Sequence, residues 1–145
     1  MTAVLIIVAA LIALDQVTKW AAHKFISPME PLLVFPFMDL VNVRNEGAAF
    51  GILQSLGNTV FILISAGAII VIFLMLLKEK EKSLGLVLIL SGAIGNFTDR
   101  VTLGYVRDFA DFFVGRHHWP AFNFADAYLT VGIFFLLYET LKRKK

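Results

Sequence analysis

The chain has no cysteine and few charged residues. The lack of cysteine excludes a disulfide framework, thiol catalysis and a metal site with thiolate ligands. Only 17% of the 145 residues are charged, whereas 59% are hydrophobic and the mean hydropathy is +0.80. Soluble domains average about 25% charged residues, and a core of this size cannot hide so many apolar side chains from water. Polar low-complexity tracts are also missing, so disorder is excluded and lipid must be the solvent for most of the chain.

Four segments are long and apolar enough to cross a bilayer, which requires about 20 residues of helix. They cover approximately residues 3–22, 58–77, 84–103 and 122–141 of a single integral membrane domain, residues 1–145. We expect the first span to remain uncleaved, because Asp15, Gln16 and Lys19 stand where a signal-peptide cleavage site would lie. The predicted fold class is an all-α integral membrane protein, a bundle of four transmembrane helices.

Basic residues predict the orientation of these spans. Seven of the thirteen Lys and Arg residues lie between the second and third spans or after the fourth, namely Lys78, Lys80, Lys82, Lys142, Arg143, Lys144 and Lys145. Short loops rich in Lys and Arg stay cytoplasmic. Both termini are therefore predicted inside, with residues 23–59 and 104–121 outside a bacterial inner membrane. The net charge of +2 is too small to suggest a nucleic-acid partner.

Two patterns predict structure in the outer segment, at approximately residues 34–56. Residues 40–45 alternate apolar and polar side chains with the two-residue period of a strand, and Gly47 then permits a turn. A short amphipathic segment is expected at residues 50–56. The prediction is a small extracytoplasmic β-sheet followed by this segment. Four aromatic residues are expected at the level of the lipid headgroups: Phe35, Phe37, Trp119 and Phe122.

Three aspartates, Asp15, Asp99 and Asp126, fall inside the predicted spans. An ionisable side chain at the bilayer centre costs about 2.5–3.5 kcal/mol, so each of them requires a reason. At a helical rise of 1.5 Å per residue, each lies about 18–22 Å from the inner end of its span. The three acids therefore converge on one depth, and Asp108 and Asp111 follow just beyond the third span. Acidic groups from three helices at one depth predict a site.

Local partners distinguish structural acids from chemical ones. Asp15 has Lys19 one helical turn later, and Asp99 is followed directly by Arg100. We expect these paired acids to hold helices together rather than to act chemically. Asp126 differs, because no basic residue lies within four positions of it.

Asp108 is a candidate partner for Asp126. Arg107 lies beside it, but neighbouring residues of an extended segment point apart. If the two carboxyls meet, like charge and low dielectric raise one pKa, so that the pair shares a proton. Such a pair can activate water and protonate a carbonyl or a leaving amine, as in aspartyl peptide hydrolysis. On composition and spacing alone, a proton relay or an ion pathway through the same acids is as good an interpretation as peptide hydrolysis.

The three histidines do not predict a metal site. His117 and His118 are adjacent and lack the spacing of metal-binding motifs, so we expect a structural or interfacial role. His23 is expected to be a lone interfacial residue. No metal and no other cofactor is predicted.

Five short motifs occur in order along nearly the whole chain. They are L-D-Q-V-T-K at residues 14–19, N-E-G-A-A-F at 45–50, G-N-F-T-D-R at 95–100, V-R-D-F at 106–109 and F-N-F-A-D at 122–126. None is specific alone. Together, on four spans in a chain of this length, they resemble the lipoprotein signal peptidases, also called signal peptidase II.

The resemblance implies that Asp108 and Asp126 are the catalytic aspartates. It implies that six residues bind substrate or support the site: Asn45, Gly47, Phe50, Asn96, Arg100 and Asn123. For Phe50, a plain membrane anchor is an equally good interpretation. Asp15 and Lys19 would have structural or substrate-contact roles, and Asp111 would be a loop acid. Arg107 departs from the family pattern, in which an aliphatic residue often precedes the first catalytic aspartate. Contact between Arg107 and Asp108 would lower the pKa of that carboxyl.

The resemblance also implies the substrate, a bacterial prolipoprotein whose cysteine carries a diacylglyceryl group. The enzyme would cut the peptide bond just before that cysteine, near the outer face of the membrane, and the outer segment would clamp the substrate. Membrane lipid and cyclic peptide inhibitors of the globomycin type are the other expected partners.

Two other functions fit embedded acids on four spans. The first is a small multidrug or proton-coupled transporter, although the acids here cluster toward one face rather than at the midplane where transporter sites usually lie. The second is a metal-dependent phospholipid transferase that uses Asp99, Asp108 and Asp111 as oxygen ligands, although the usual frame of small residues is missing.

Overall fold

The computed structural model describes residues 1–47, 57–78 and 83–143. It contains four long helices: α1 (Thr2–Phe25), α2 (Gly57–Lys78), α3 (Leu84–Leu103) and α4 (Phe124–Arg143). Each is long and apolar enough to cross a membrane, so the predicted architecture of four spans is confirmed. Five residues used in the predictions lie outside the described residues, together with the expected amphipathic segment at 50–56: Phe50, Lys80, Lys82, Lys144 and Lys145.

The helices present large apolar side chains on the outside of the bundle. Ile6, Leu63 and Phe134, from three different helices, are each about two-thirds exposed. Water would make such a surface aggregate, whereas lipid solvates it. Helix α2 is the most peripheral, since Leu76 is the only side chain that it buries among its described residues.

Helix α3 lies at the centre of the bundle and packs against the other three helices. Glycines allow its backbone to approach α4 closely. A Cβ atom on Gly85 would lie 2.6 Å from the backbone nitrogen of Leu136, and one on Gly92 would overlap the carbonyl oxygen of Ala125. Small residues at such contacts permit tight helix packing in membranes. The first turn of α4 is thereby fixed against α3.

A four-stranded antiparallel sheet lies at one end of the bundle. Its strands run in chain order: β1 (Leu32–Phe35), β2 (Met38–Asn45), β3 (Val106–Val114) and β4 (His117–His118). The strand predicted at residues 40–45 is therefore present. The expectation that Asp111 lies in a loop was wrong, because this residue belongs to β3, which pairs with the open edge of β2. That pairing joins residues far apart in sequence, so local periodicity does not reveal it.

The sheet is fastened to two helices. Asn42 of β2 donates hydrogen bonds from Nδ2 to the carbonyl oxygens of His23 and Ile26, at 3.2 and 3.0 Å, at the end of α1. His23 Nδ1 also lies 3.0 Å from Asn42 Oδ1, so the prediction of a lone histidine was wrong. On the other side, Ala110 of β3 exchanges two backbone hydrogen bonds of 2.9 Å with Phe122, just before α4. Strand β3 therefore enters the bundle at a fixed position.

The close approach of α3 and α4 predicts the effect of adding one methyl group. Gly92→Ala should lower the free energy of unfolding by about 1–3 kcal/mol, the usual cost of overpacking, because the new Cβ displaces the Ala125 backbone. Gly67→Ala, in α2, is the matched control, since a Cβ there meets open space. Thermal unfolding in detergent measures both. Equal stability of the two variants would contradict the packing described.

Candidate active site

Lys19 forms a buried ion pair at the centre of the bundle. Its Nζ lies 2.8 Å from Asp15 Oδ2, one helical turn away, which is the contact expected from the sequence. It also lies 3.7 Å from Asp99 Oδ2 on α3. All three side chains are inaccessible to solvent. Charges buried to this extent require partners, so α1 and α3 are held together at this level.

Arg107 of β3 supplies the second cation. Its Nη2 donates to Asp99 Oδ1 at 2.7 Å and its Nε to Asp99 Oδ2 at 3.2 Å, a two-pronged contact. Nη2 also donates to Gln16 Oε1 at 3.0 Å. The expectation that Arg100 pairs with Asp99 was wrong, because adjacent residues of a helix point in different directions. We call Asp15, Lys19, Asp99 and Arg107 the buried ion cluster; its formal charges sum to zero.

Asp15 extends this cluster to α4. Its Oδ1 accepts a hydrogen bond of 2.9 Å from the backbone N–H of Ala125 in the first turn of that helix. Gly95 leaves room for the carboxylate, since a Cβ there would lie 2.6 Å from Asp15 Oδ2. Gln16, the next residue of α1, donates from Nε2 to the carbonyl oxygen of Gly95 at 3.0 Å. One buried carboxylate thus positions the start of α4.

Asp126 is held at the N-terminus of α4 by Asn123. The backbone N–H of Asp126 donates to Asn123 Oδ1 at 3.0 Å, and the backbone N–H of Asn123 donates back to Asp126 Oδ2 at 3.3 Å. This reciprocal arrangement is a capping box, and it explains why α4 begins at Phe124 rather than near 122. Asn96 of α3 donates from Nδ2 to Asp126 Oδ1 at 2.7 Å, while its Oδ1 accepts from Lys19 at 2.9 Å.

Asp108 of β3 shares Asn123 with Asp126. Asn123 Nδ2 donates to Asp108 Oδ1 at 2.6 Å, and Asn45 Nδ2 donates to Asp108 Oδ2 at 2.9 Å. Asp108 is only 3% exposed. Two acids from separate parts of the chain are thus brought together around one buried amide.

The environment of Asp108 alters its proton affinity. Burial, followed by the negative charge of Asp126, raises the pKa of Asp108 to about 6. The amide groups of Asn45 and Asn123 offset part of this rise by donating hydrogen bonds to the carboxylate. Asp108 therefore exchanges its proton close to neutral pH, as an acid–base catalyst requires.

Gly47 fixes the orientation of the Asn45 amide. Its backbone N–H donates to Asn45 Oδ1 at 2.9 Å, so the NH2 group of that amide faces Asp108. Gly47 has a left-handed φ of 91°, and the ring of Phe61 occupies the place of a Cβ. The guanidinium of Arg100 lies 4.6 Å from the centre of the same ring and interacts electrostatically with both Asp108 and Asp126.

Asp111, three residues beyond Asp108 on β3, belongs to a different contact. Its Oδ2 lies 2.8 Å from His118 Nδ1 on β4. Within residues 1–47, 57–78 and 83–143, no three His, Cys, Asp or Glu side chains form a group that could hold a metal. Asp99, Asp108 and Asp111 are thus not gathered as a phospholipid transferase would require.

Three polar contacts were missed by sequence reasoning: Asn42 with the end of α1, Gln16 with Arg107, and Arg107 with Asp99. One signal was available for the last. Strand alternation already turns Arg107 away from Asp108, and Asp99 required a cation. No local signal pairs Asn42 or Gln16 with residues that lie far along the chain.

Comparison with known proteins gives consistent matches. The model of a family described as signal peptidase (SPase) II matches residues 7–142. A lipoprotein signal peptidase of Thermodesulfovibrio yellowstonii is 39% identical over 135 residues, which cover 92% of this chain and 90% of the relative. One from Burkholderia mallei is 43% identical over 138 residues, covering 91% and 83%. A solved structure described as a bacterial membrane enzyme matches all of this chain and 91% of its own, with a TM-score of 0.88 and 32% identity.

The buried ion cluster predicts a large penalty for removing one cation. Lys19→Met should lower the free energy of unfolding by about 3–5 kcal/mol, because Asp15 and Asp99 remain buried with fewer partners. Asp15→Asn combined with Lys19→Met should recover part of this loss. Lys24→Met, an exposed lysine on the same helix, is the control and should cost less than about 1 kcal/mol. Thermal unfolding in detergent measures all three, and equal effects of the two lysine variants would refute the pairing.

Proposed function

The chain belongs to the signal peptidase II family, and from this membership we propose that it removes signal peptides from bacterial prolipoproteins, with Asp108 and Asp126 as its catalytic pair. Support for the pair comes from Asn123, which donates to Asp108 at 2.6 Å and forms the capping box with Asp126. This arrangement holds two carboxyl groups around one buried amide, and among the described residues no cation forms a salt bridge with either of them. Such a pair is suited to general acid–base hydrolysis.

We propose a lipidated substrate that is cut just before its diacylglyceryl cysteine. The relatives are named lipoprotein signal peptidases, and the large exposed apolar surface of the helices is compatible with acyl chains that remain in lipid. The pair lies where β3 meets the N-terminus of α4, at the end of the bundle that carries the sheet. A peptide bond at the end of a transmembrane signal helix can reach that depth.

In the proposed mechanism, Asp126 acts first as the base and Asp108 as the acid. Asp126 removes a proton from water, the resulting hydroxide attacks the carbonyl carbon, and Asp108 gives its proton to the carbonyl oxygen. The tetrahedral intermediate then returns the hydroxyl proton to Asp108, Asp126 protonates the amide nitrogen, and the carbon–nitrogen bond breaks. The products are a carboxyl-ended signal peptide and a free cysteine amine, and the pair again holds one proton.

The different surroundings of the two aspartates support this assignment. Asp126 lies in the first turn of α4, where the helix dipole favours a negative charge, and it accepts hydrogen bonds from Asn96 and Asn123. Asp108 lies on a strand without that dipole, and burial raises its pKa to about 6. Asp108 is therefore the better carrier of the shared proton.

We further propose that the protein resides in the bacterial inner membrane with both termini in the cytoplasm. Lys78 ends α2 and Lys142 lies in the last turn of α4, at the end of the bundle opposite the sheet. The positive-inside rule assigns that end to the cytoplasm, which leaves the sheet and the aspartate pair near the outer face. Inhibition by globomycin-type cyclic peptides and a specific role for membrane lipid stay predictions.

Substitution of either aspartate should abolish cleavage. Asp108→Asn and Asp126→Asn should each lower kcat by at least about 100-fold, because a group that transfers protons in the transition state is lost. Asp111→Asn is the matched control on the same strand, and it should retain wild-type activity. The measurement is release of signal peptide from a lipidated prolipoprotein in detergent.

The same assay with EDTA distinguishes the alternatives. Cleavage should persist in EDTA and in detergent without any proton gradient, since the proposed chemistry uses only the two carboxyls and water. Loss of activity in EDTA would favour metal chemistry, and full activity in either asparagine variant would refute the pair.

The raised pKa of Asp108 predicts the alkaline limb of the pH profile. The acid must be protonated in the free enzyme, so kcat/KM should fall as the pH rises through about 6, with a slope of one proton. Initial rates over a series of buffers, at substrate concentrations below KM, measure this limb. A rate that instead rises through the same pH would mean that Asp108 is the base and would reverse the assignment.

A further inference from the structure

Arg107 connects strand β3 to three helices. Its side chain binds Asp99 of α3 through two nitrogens and Gln16 of α1 through Nη2. Its backbone N–H also donates to Asp99 Oδ2, at 3.0 Å, and its carbonyl oxygen accepts from Asn123 Nδ2, at 3.3 Å, just before α4. Every polar group of this residue's backbone, as well as its guanidinium, is thus bound to one of the elements that form the site.

The next residue along the strand is Asp108, whose Cα lies about 3.8 Å from that of Arg107. Because the two side chains point to opposite sides of the strand, the guanidinium anchors the backbone without neutralising the carboxyl. The two-pronged contact with Asp99 fixes the direction of the arginine as well as its distance. The backbone that carries Asp108 is therefore held by α1, by α3 and by Asn123 just before α4.

Arg107 also affects Asp126 through Lys19. The lysine divides its hydrogen-bonding capacity between Asp15 and Asn96, and Asn96 in turn donates to Asp126. Without the guanidinium, the buried carboxylate of Asp99 would have Lys19 as its remaining cation, at 3.7 Å. Attraction toward Asp99 would draw the lysine away from Asn96 and loosen the hold on Asp126.

We propose that Arg107 is a positioning residue that fixes the relative positions of the two carboxyls of the pair. It acts on Asp108 through the strand and on Asp126 through Lys19 and Asn96. This inference rests on the proposed function, since it assigns Arg107 a purpose only if the two aspartates are catalytic.

Arg107→Met tests the proposal, because it keeps the backbone hydrogen bonds and a similar side-chain length. It removes the positive charge and the two-pronged contact with Asp99. A displacement of about 1 Å in a catalytic group costs up to about 100-fold in rate, so kcat should fall by about 10- to 100-fold. KM should stay within about twofold, since substrate contacts are unchanged. Arg116→Met, an exposed arginine in the turn between β3 and β4, is the matched control and should have wild-type kcat and KM.

Two further variants separate positioning from loss of folding. Asp99→Asn combined with Arg107→Met removes the carboxylate that would attract Lys19, so its kcat should exceed that of Arg107→Met by about fivefold or more. Arg107→Lys keeps the positive charge but loses the two-pronged contact with Asp99, so its kcat should lie between those of the wild type and Arg107→Met. If Arg107→Met does not fold, a kcat of Arg107→Lys reduced at least about threefold at unchanged KM supports the proposal.

All rates are expressed per folded enzyme, measured by the thermal unfolding transition. Wild-type kcat in Arg107→Met, or in Arg107→Lys where only that variant folds, would overturn the inference and leave Arg107 a structural residue. A raised KM at unchanged kcat would also overturn it, because Arg107 would then contact substrate. Failure of the proposed function is distinguishable, since it requires cleavage by Asp108→Asn or Asp126→Asn.

Discussion

The mutual neutralisation of four charges in a dry interior is the constraint on which the rest of this structure depends. Asp15, Lys19, Asp99 and Arg107 come from α1, α3 and β3, and an isolated member of the group would cost several kcal/mol. Their pairing therefore fixes how these three elements meet. The same ion pairs direct Lys19 and Arg107 toward Asp15 and Asp99, and neither cation forms a salt bridge with Asp108 or Asp126.

The aspartate pair, Asp108 and Asp126, is consequently held by amides. Asn45, Asn96 and Asn123 donate hydrogen bonds to its carboxyls, and each amide is oriented by a second contact. An amide positions a carboxylate without the strong stabilisation that a bound cation gives, so one proton remains available near neutral pH. The ion cluster fixes the elements that carry these side chains, and the amides orient the two carboxyls.

The sequence predicted the helices well, because runs of apolar residues have the length of a bilayer and few competing interpretations. The residues suggested that Asp108 meets Asp126, and the family resemblance gave this pair its expected catalytic role, since spacing alone favoured a proton relay equally. What failed was long-range pairing: Asp99 with Arg107, β2 with β3, and His23 with Asn42. Each joins residues whose contact depends on how the helices are arranged, which local periodicity does not encode. For Arg107, strand alternation indicated that the side chain points away from Asp108. It did not indicate that the side chain binds Asp99.

We expect the pair to hold one proton, on Asp108, because the cations of the ion cluster form salt bridges with Asp15 and Asp99 instead of with the pair. Infrared spectroscopy of the detergent-solubilised protein tests this most directly, because a protonated carboxyl and a carboxylate absorb separately. As the pH rises from about 4 to about 8, most exposed acids lose their protons near the lower limit. We predict a carboxylic-acid band that disappears with a midpoint near 6 in the wild type and is missing from Asp108→Asn. A wild type without such a band, or an identical band in Asp108→Asn, would contradict the account.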